Sequence, residues 1–271
     1  LFSNELLKFR CNKVVKTSGG NMLNQERKKK ILEIIEEKGA VSVTELTKML
    51  GASESTIRRD LIELSKKGNI NKVHGGATLT NRQFIAQEAD VTAKETENTF
   101  QKEKIAAYCA AQLQNDDFVY IDAGTTTLFM IDRIDSSCTA SFVTNGIMHA
   151  KQMADKGLNV YVLGGKLKKT TQAVVGLMAA RSIHNFNFTK AFIGANGVSD
   201  TGGFTTPDTE EAFVKAAAME NAFVSYVLAD SSKFGKISSV RFAAIDTACI
   251  VTDCEPEEVY KKKTVVKVLD Q

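Results

Sequence analysis

Three closely spaced helical stripes and a glycine hairpin, followed by short apolar runs that alternate with helices, predict an α/β chain of two domains. The first is a small winged helix-turn-helix, and the second is a mainly parallel sheet with helices on both faces. Glycine and polar residues also gather just after the apolar runs of the second part, where sheets of this kind carry ligands. At 271 residues the chain suits two domains of roughly 100–200 residues each. The expected divisions are a leader at 1–21, a head at 22–79, a linker at 80–100, a body at 101–255 and a tail at 256–271.

In the head, Ile31, Ile34 and Ile35 mark a first helix over 25–38, which Gly39 stops. Ser42 and Glu45 have the spacing of a capping box and open a second helix, with Leu46, Met49 and Leu50 as its buried stripe. Gly51 ends that helix. Ser53 is placed to cap a third, closed by Gly68, whose core stripe is Ile57, Leu61 and Leu64. The exposed amino-terminal face of the third helix carries Ser55, Thr56, Arg58 and Arg59. With Ser53, these are the residue types that meet phosphates and base edges when a helix enters the major groove. Two β-prone runs then flank Gly75-Gly76 as a hairpin, with Lys72 and His74 near its tip. A protein-interaction module with solvated arginines is the other reading of this pattern. Asp60 is read as an orienting partner for an arginine, because a carboxylate would repel phosphate.

Charge is uneven along the chain. There are 35 Lys+Arg and 32 Asp+Glu, a net of +3. Residues 22–79 carry eleven basic and eight acidic groups, whereas 80–271 carry twenty and twenty-three. A basic head on a mildly acidic body suits a polyanionic partner for the head. With 43% hydrophobic and 25% charged residues, a largely disordered chain is excluded. Five scattered cysteines without a C-x-x-C pair argue against a disulfide framework or a thiolate zinc site and fit a reducing cytosol. Three dispersed histidines suggest no metal centre.

The body begins with a helix near 101–114, with Ile105, Cys109 and Leu113 on one face. Strands are expected at 118–122, 141–144, 159–163, 191–193, 224–229 and near 249–252, and the tail offers either an edge strand at 265–269 or a mobile end. Asp122-Ala123-Gly124-Thr125-Thr126-Thr127 has the composition of an anion cradle: glycine allows close approach, hydroxyls donate, and the next helix turns its first amides toward the anion. A structural capping turn fits the same residues. Asn145, Asn196 and Lys233 follow other strands and strengthen a phosphorylated-polyol site. The loop matches neither nucleotide-binding glycine motif, so no nucleotide and no cofactor is expected. Asp208, Glu210 and Glu211 open a further helix, either complementing its dipole or, through Glu210 or Glu211, touching a sugar hydroxyl. His149 and His184 are expected to be structural or exposed.

The strings Ser55-Thr56-Ile57-Arg58-Arg59-Asp60-Leu61 and Val73-His74-Gly75-Gly76-Ala77 resemble the DNA-binding head of DeoR-type repressors of bacterial sugar metabolism, and the resemblance spans about residues 24–255. It implies a body similar to ribose-phosphate isomerase that binds a phosphorylated sugar. Carried over, residues 124–127 would hold the phosphate, and Asn145, Asn196, Thr205, Asp230 and Lys233 would line the sugar site. Gly203-Phe204-Thr205-Thr206-Pro207-Asp208 and Ala229-Asp230-Ser231-Ser232-Lys233-Phe234-Gly235 look most like the fructose-operon repressor subgroup, whose implied effector is fructose 1-phosphate. The family implies a cytoplasmic repressor acting as a dimer or tetramer on double-stranded operator DNA. The competing reading is a sugar-phosphate isomerase or hydrolase with an accessory DNA-binding head, using Asp122, Asp208 or Glu210 as general base.

The first twenty-one residues lack helical periodicity and the features of a secretory signal. Codons for Gly19-Gly20 can read as a bacterial ribosome-binding sequence just before Met22, so native translation is expected to start at Met22. Amino-terminal sequencing of the native protein should begin there, and finding Leu1 or Phe2 would refute the expectation.

Overall fold

The computed structural model describes residues 24–66, 70–79, 84–85 and 91–269. The expected leader and the closure of the third helix at Gly68 lie outside the described residues. The chain divides into two compact units between Asn81 and Arg82.

The first unit runs α1 (Asn24–Lys38), β1 (Ala40–Ser42), α2 (Val43–Leu50), α3 (Glu54–Lys66), β2 (Ile70–Val73) and β3 (Gly76–Leu79). Antiparallel β3 lies between β1 and β2. Ile31, Ile35, Leu46, Ile57 and Leu61 are fully buried and join the three helices. The Ser42 hydroxyl accepts from the Glu45 amide at 3.1 Å, and Glu45 Oε2 accepts from the Ser42 amide at 2.9 Å, which closes the capping box. Met49 departs from expectation and is exposed. Val43, Leu46 and Leu50 set the inner stripe of α2, and Met49 falls roughly a quarter-turn away from it. The strand β1 was not anticipated, because its last residue doubles as the helix cap.

The two glycines of the hairpin have separate causes. Gly75 holds φ +83°, a left-handed turn position. A Cβ on Gly76 would lie 2.3 Å from the Val41 carbonyl oxygen, so β1 can approach β3 only if that residue has no side chain. Asp60 does orient an arginine, but the partner is Arg27 of α1. Arg27 Nε donates to Asp60 Oδ2 at 2.5 Å and its Nη2 to Oδ1 at 3.3 Å. Both side chains are largely buried, and this fork fastens α1 across α3.

The second unit opens with β4 (Phe84–Ile85), α4 (Val91–Thr96) and α5 (Thr99–Ala110), so the stretch expected as linker contains a strand and a helix. It continues with β5 (Phe118–Ile121), α6 (Thr125–Asp132), β6 (Ser141–Thr144), α7 (Ile147–Asp155), β7 (Asn159–Val162), β8 (Lys166–Lys168), β9 (Ala173–Val175) and α8 (Leu177–Ile183). Then come β10 (Phe188–Gly194), β11 (Gly197–Ser199), β12 (Gly203–Thr206), α9 (Thr209–Glu220) and β13 (Ala222–Leu228). The last elements are β14 (Ile237–Ser238), β15 (Val240–Ala243), β16 (Cys249–Thr252), α10 (Glu258–Lys261) and β17 (Val266–Val268).

The main sheet has the order β17-β16-β13-β10-β5-β6-β7, and every neighbouring pair is parallel. The tail strand is therefore an edge strand. Alternate residues face opposite cores: Tyr120, Val143, Ala191 and Ile193 pack toward α8 and α9, whereas Ile121, Phe142 and Phe192 pack toward α5, α6 and α7. The chain leaves β5 toward β6 on one side and later returns to β10 on the other, so the order reverses between β5 and β10. A crevice is forced open there, at the carboxyl ends of the strands. No described helix is long and apolar enough to cross a membrane.

Replacing Asp60 by Ala leaves a largely buried guanidinium without its carboxylate. Denaturant unfolding of the full chain should show the head destabilised by about 3 kcal/mol, the usual scale for a broken buried pair. A loss under about 1 kcal/mol, the scale of surface pairs, would show that the Arg27 fork does not hold α1 in place.

Candidate functional site

The amino-terminal face of α3 is open to solvent. The Ser53 hydroxyl shares hydrogen bonds of 2.9 Å with those of Ser55 and Thr56, and the Thr56 amide donates to it at 3.3 Å. Ser53 is thus the cap expected from its position. Arg58 and Arg59 are exposed, and among the described residues Arg58 reaches only its own-helix neighbour Glu54 at 3.2 Å. Lys72 and His74 are exposed on the wing hairpin. Cationic and hydroxyl groups therefore project from a helix start and a hairpin of one small unit, the arrangement that contacts DNA backbone and base edges.

The second unit has a cavity of about 70 Å³ at the β5/β10 switch point. Asp122, Gly124, Thr125 and Thr126 line it after β5, Asn145 after β6, Asn196 after β10 and Lys233 after β13. At its floor Asp122 Oδ2 accepts from Lys215 Nζ at 2.5 Å and from the Gly194 amide at 3.0 Å. Lys215 also donates to the Gly194 carbonyl at 3.0 Å. Both members of this ion pair are buried. A neighbouring hollow of about 390 Å³ shares Ala123, Gly124, Thr125 and Thr171 as its wall with the first.

Three candidate residues stand outside the cavity lining. The Thr127 hydroxyl, fully buried, donates among the Asp122 and Gly124 carbonyls and accepts from the Gly124 amide, so it caps α6. Thr205 Oγ1 accepts from the Ser238 amide at 2.9 Å and donates to the Gly197 carbonyl at 3.2 Å. Asp230 accepts from the Ser232 amide at 2.9 Å and from Asn98 Nδ2 at 3.2 Å, capping the turn that carries Lys233. Asn145 lines the cavity but is already engaged. Its Oδ1 accepts from Tyr120 and the Ala123 amide, and its Nδ2 donates to the Val174 carbonyl.

Sequence reasoning missed Lys94, Lys102, Thr171 and Lys215 in the wall, and left Glu211 open between two readings. Glu211 faces inward and accepts from Lys168 at 3.0 Å and Thr171 at 2.9 Å, while Asp208 caps α9 and half-buried Glu210 pairs with Lys166. A signal existed. Glu211 and Lys215 are four apart on a helix stripe otherwise filled by Ala212, Val214 and Ala218, and Lys102 falls on the stripe of Ile105 and Cys109. Buried His149 donates to or accepts from Thr127 Oγ1 and meets the Gly124 carbonyl at 3.0 Å. Burial pushes its pKa down to about 4, so it is neutral near pH 7.

Two family descriptions match the chain: the DeoR C-terminal sensor domain over residues 97–254, and the DeoR-like helix-turn-helix domain over residues 27–83. The chain is 44% identical to the "Uncharacterized HTH-type transcriptional regulator FruR" of Bacillus subtilis (strain 168), across 92% of this chain and 99% of that protein. It is 32% identical to the lactose phosphotransferase system repressor of Staphylococcus aureus (strain N315), across 92% of this chain and 100% of that one. Among solved structures, it is similar to ribose 5-phosphate isomerase A of Methanocaldococcus jannaschii at TM-score 0.38 and 16% identity, over 51% of this chain and 55% of that one. The sensor match takes in more than half of the chain and the relatives cover nearly all of it, so the chain belongs to the DeoR family of helix-turn-helix transcriptional regulators.

Proposed function

We propose that the chain represses a sugar-utilisation operon and that a phosphorylated sugar bound at the β5/β10 switch point controls its hold on operator DNA. The observation that carries the reading is the charge of the cavity wall. Lys94, Lys102, Lys215 and Lys233 face Asp122 and Glu211, a formal surplus of two positive charges beside the first turn of α6. The first-turn amides of a helix lack intrahelical acceptors and favour an anion. Gly124 lets a ligand come close to the backbone there. Fructose 1-phosphate is the specific candidate, supported by the likeness to the FruR relative and by the sequence around Gly203 and Lys233. Asn196 and Glu211 are the polar groups best placed to meet sugar hydroxyls. Operator half-sites read by α3 call for a dimer or larger assembly.

The enzymatic alternative needs a poised general base. Asp122 is tied to Lys215 and the Gly194 amide, Asp208 caps α9, and Glu210 is paired with Lys166, which supports binding without turnover. Incubation with fructose 1-phosphate and other ketose and aldose phosphates decides this point, since conversion of any of them would restore the enzyme reading.

Replacing Arg58 or Arg59 by Ala should cost on the order of 1–3 kcal/mol of operator discrimination where the arginine reads a base edge. Where it meets phosphate, affinity should fall evenly across sequences and the salt slope shrink by about 1. Mobility shifts on the upstream DNA of the protein's own operon measure both, and unchanged binding by both variants would reject α3 as the reading element.

Thr126→Glu places a carboxylate at the proposed anion position. The variant should bind operator normally in the same assay, yet resist release or tightening by fructose 1-phosphate. A variant that still responds like the parent would show that the cradle is misassigned.

A further inference from the structure

We infer that Glu54 is a positioning residue for operator reading: its carboxylate holds the Arg58 guanidinium off the phosphate backbone, so that Arg58 addresses a base edge while Arg59 is left to the phosphates. The inference rests on α3 being the element that enters the major groove. It adds which of the two arginines discriminates between sequences and what makes it do so.

Glu54 is the first residue of α3, directly after the cap Ser53. Its Oε2 accepts from Arg58 Nη2 at 3.2 Å, one turn along the helix, and the two side chains are 53% and 54% exposed. Glutamate four positions before a cation is the favourable order for such a pair. The other carboxylates of α3 point elsewhere: Asp60 pairs with Arg27 and Glu63 with Lys28, both on α1. Glu54 instead stands among the outward groups Ser55, Arg58 and Arg59. Among the described residues, no hydrogen bond or ion pair holds the Arg59 side chain. Two adjacent arginines of one helix start are therefore unlike, one held and one free.

A carboxylate in this place opposes DNA binding as such. Duplex DNA carries one phosphate charge per roughly 1.7 Å of its axis. A like charge is felt within a Debye length of about 8–10 Å near physiological salt. Glu54 therefore lowers affinity for any duplex alike, and the return has to come from a contact that depends on sequence. Left alone, a guanidinium at a helix start swings to the nearest phosphate, where it carries no sequence information. Held by Glu54, Arg58 is partly neutralised and aligned along the helix. A guanidinium has five N–H donors, and this carboxylate accepts from one nitrogen only. The remaining donors suffice for the paired contact to guanine O6 and N7. Free Arg59 keeps its full charge for phosphate. A first-turn acid also complements the helix dipole, but that role needs no arginine as its partner.

The test is a set of mobility shifts with the full chain, on the upstream DNA of the protein's own operon and on a scrambled duplex of equal length, across a range of salt. Glu54→Gln should bind the scrambled duplex more tightly than the parent does. Its ratio of operator to scrambled affinity should fall on the order of 5-fold or more, the low end of one paired base contact. Its salt slope on scrambled DNA should steepen by about 1 as Arg58 gains a phosphate. Glu54→Ala should act likewise, and it also removes the amide oxygen with which glutamine could still hold Arg58. Placed in an Arg58→Ala chain, either change should leave the ratio where Arg58→Ala alone puts it. Arg59→Ala should weaken both complexes by a similar factor. A role in helix stability alone would move the melting temperature and leave the ratio, and a parent-like ratio in Glu54→Ala would overturn the inference. So would an equal fall of the ratio when Arg58 is already alanine. A parent chain that holds both duplexes equally would instead remove α3 as the reader of sequence.

Discussion

The contact on which the second unit depends is the buried tie between Asp122, Lys215 and Gly194. It joins the carboxyl ends of β5 and β10, the two strands where the sheet changes direction, to the inner face of α9. Without it, the crevice that the topology opens would have no defined floor. A buried ion pair contributes little net stability, since desolvation offsets most of the attraction, but losing one partner is costly. Its value here is geometric. It fixes where the loop after β5 turns into α6, and so fixes where the first-turn amides of that helix point.

The loop is held by a second set of contacts that use up side chains resembling ligand groups. Thr127 ties its hydroxyl to the backbone of Asp122 and Gly124, and neutral His149 buttresses the Gly124 carbonyl from behind. Asn145 bridges three segments at once. These residues pre-organise the cradle rather than fill it. That leaves Gly124, Thr125 and Thr126 as the surface a ligand would meet, a division of labour consistent with sites built on rigid elements and supported by a surrounding shell.

The inner strands of the main sheet were largely legible because both faces are covered, which makes each a short run of apolar residues bounded by glycine or polar turns, and the exposed edge strands β7 and β17 still read as short β-prone runs. The caps Ser42 and Ser53 were legible because capping is a local rule. The hairpin β8–β9 and the strands β11, β12, β14 and β15 were not, being two to four residues long with no periodicity to read. The Arg27–Asp60 fork spans 33 positions, and local spacing cannot select Arg27 over Arg58 or Arg59. The cavity was legible in its strand-end residues and illegible in its lysines. A strand end announces a loop, whereas Lys102 and Lys215 look like surface charges until the stripe they sit on is seen to face inward. Thr205 and Asp230 are the converse case, polar residues of an implied ligand motif that lie outside the cavity lining and bond to the loops around them.

A surplus of two positive charges in a partly enclosed wall bears on selectivity. Inside a low-dielectric crevice a surplus of one sign raises the cost of the empty state, and a phosphate monoester, carrying roughly −1.5 to −2 near neutral pH, would cancel that of the wall almost completely. A free sugar of the same shape cancels none of it. For such a ligand, discrimination between phosphorylated and unphosphorylated sugar would follow from charge balance, and discrimination among sugar phosphates would be left to the few neutral polar groups. The same argument limits regulation. A ligand shifts a conformational equilibrium only by its difference in affinity between the two states, typically 1–3 kcal/mol of coupling. Because the surplus is shared among lysines from α4, α5, α9 and the turn after β13, a state that brings these elements together binds the anion better than one that spreads them. An anion bound there would favour the gathered arrangement, and control of the DNA-binding unit would then require only that its hold on operator differ between the gathered and the spread state.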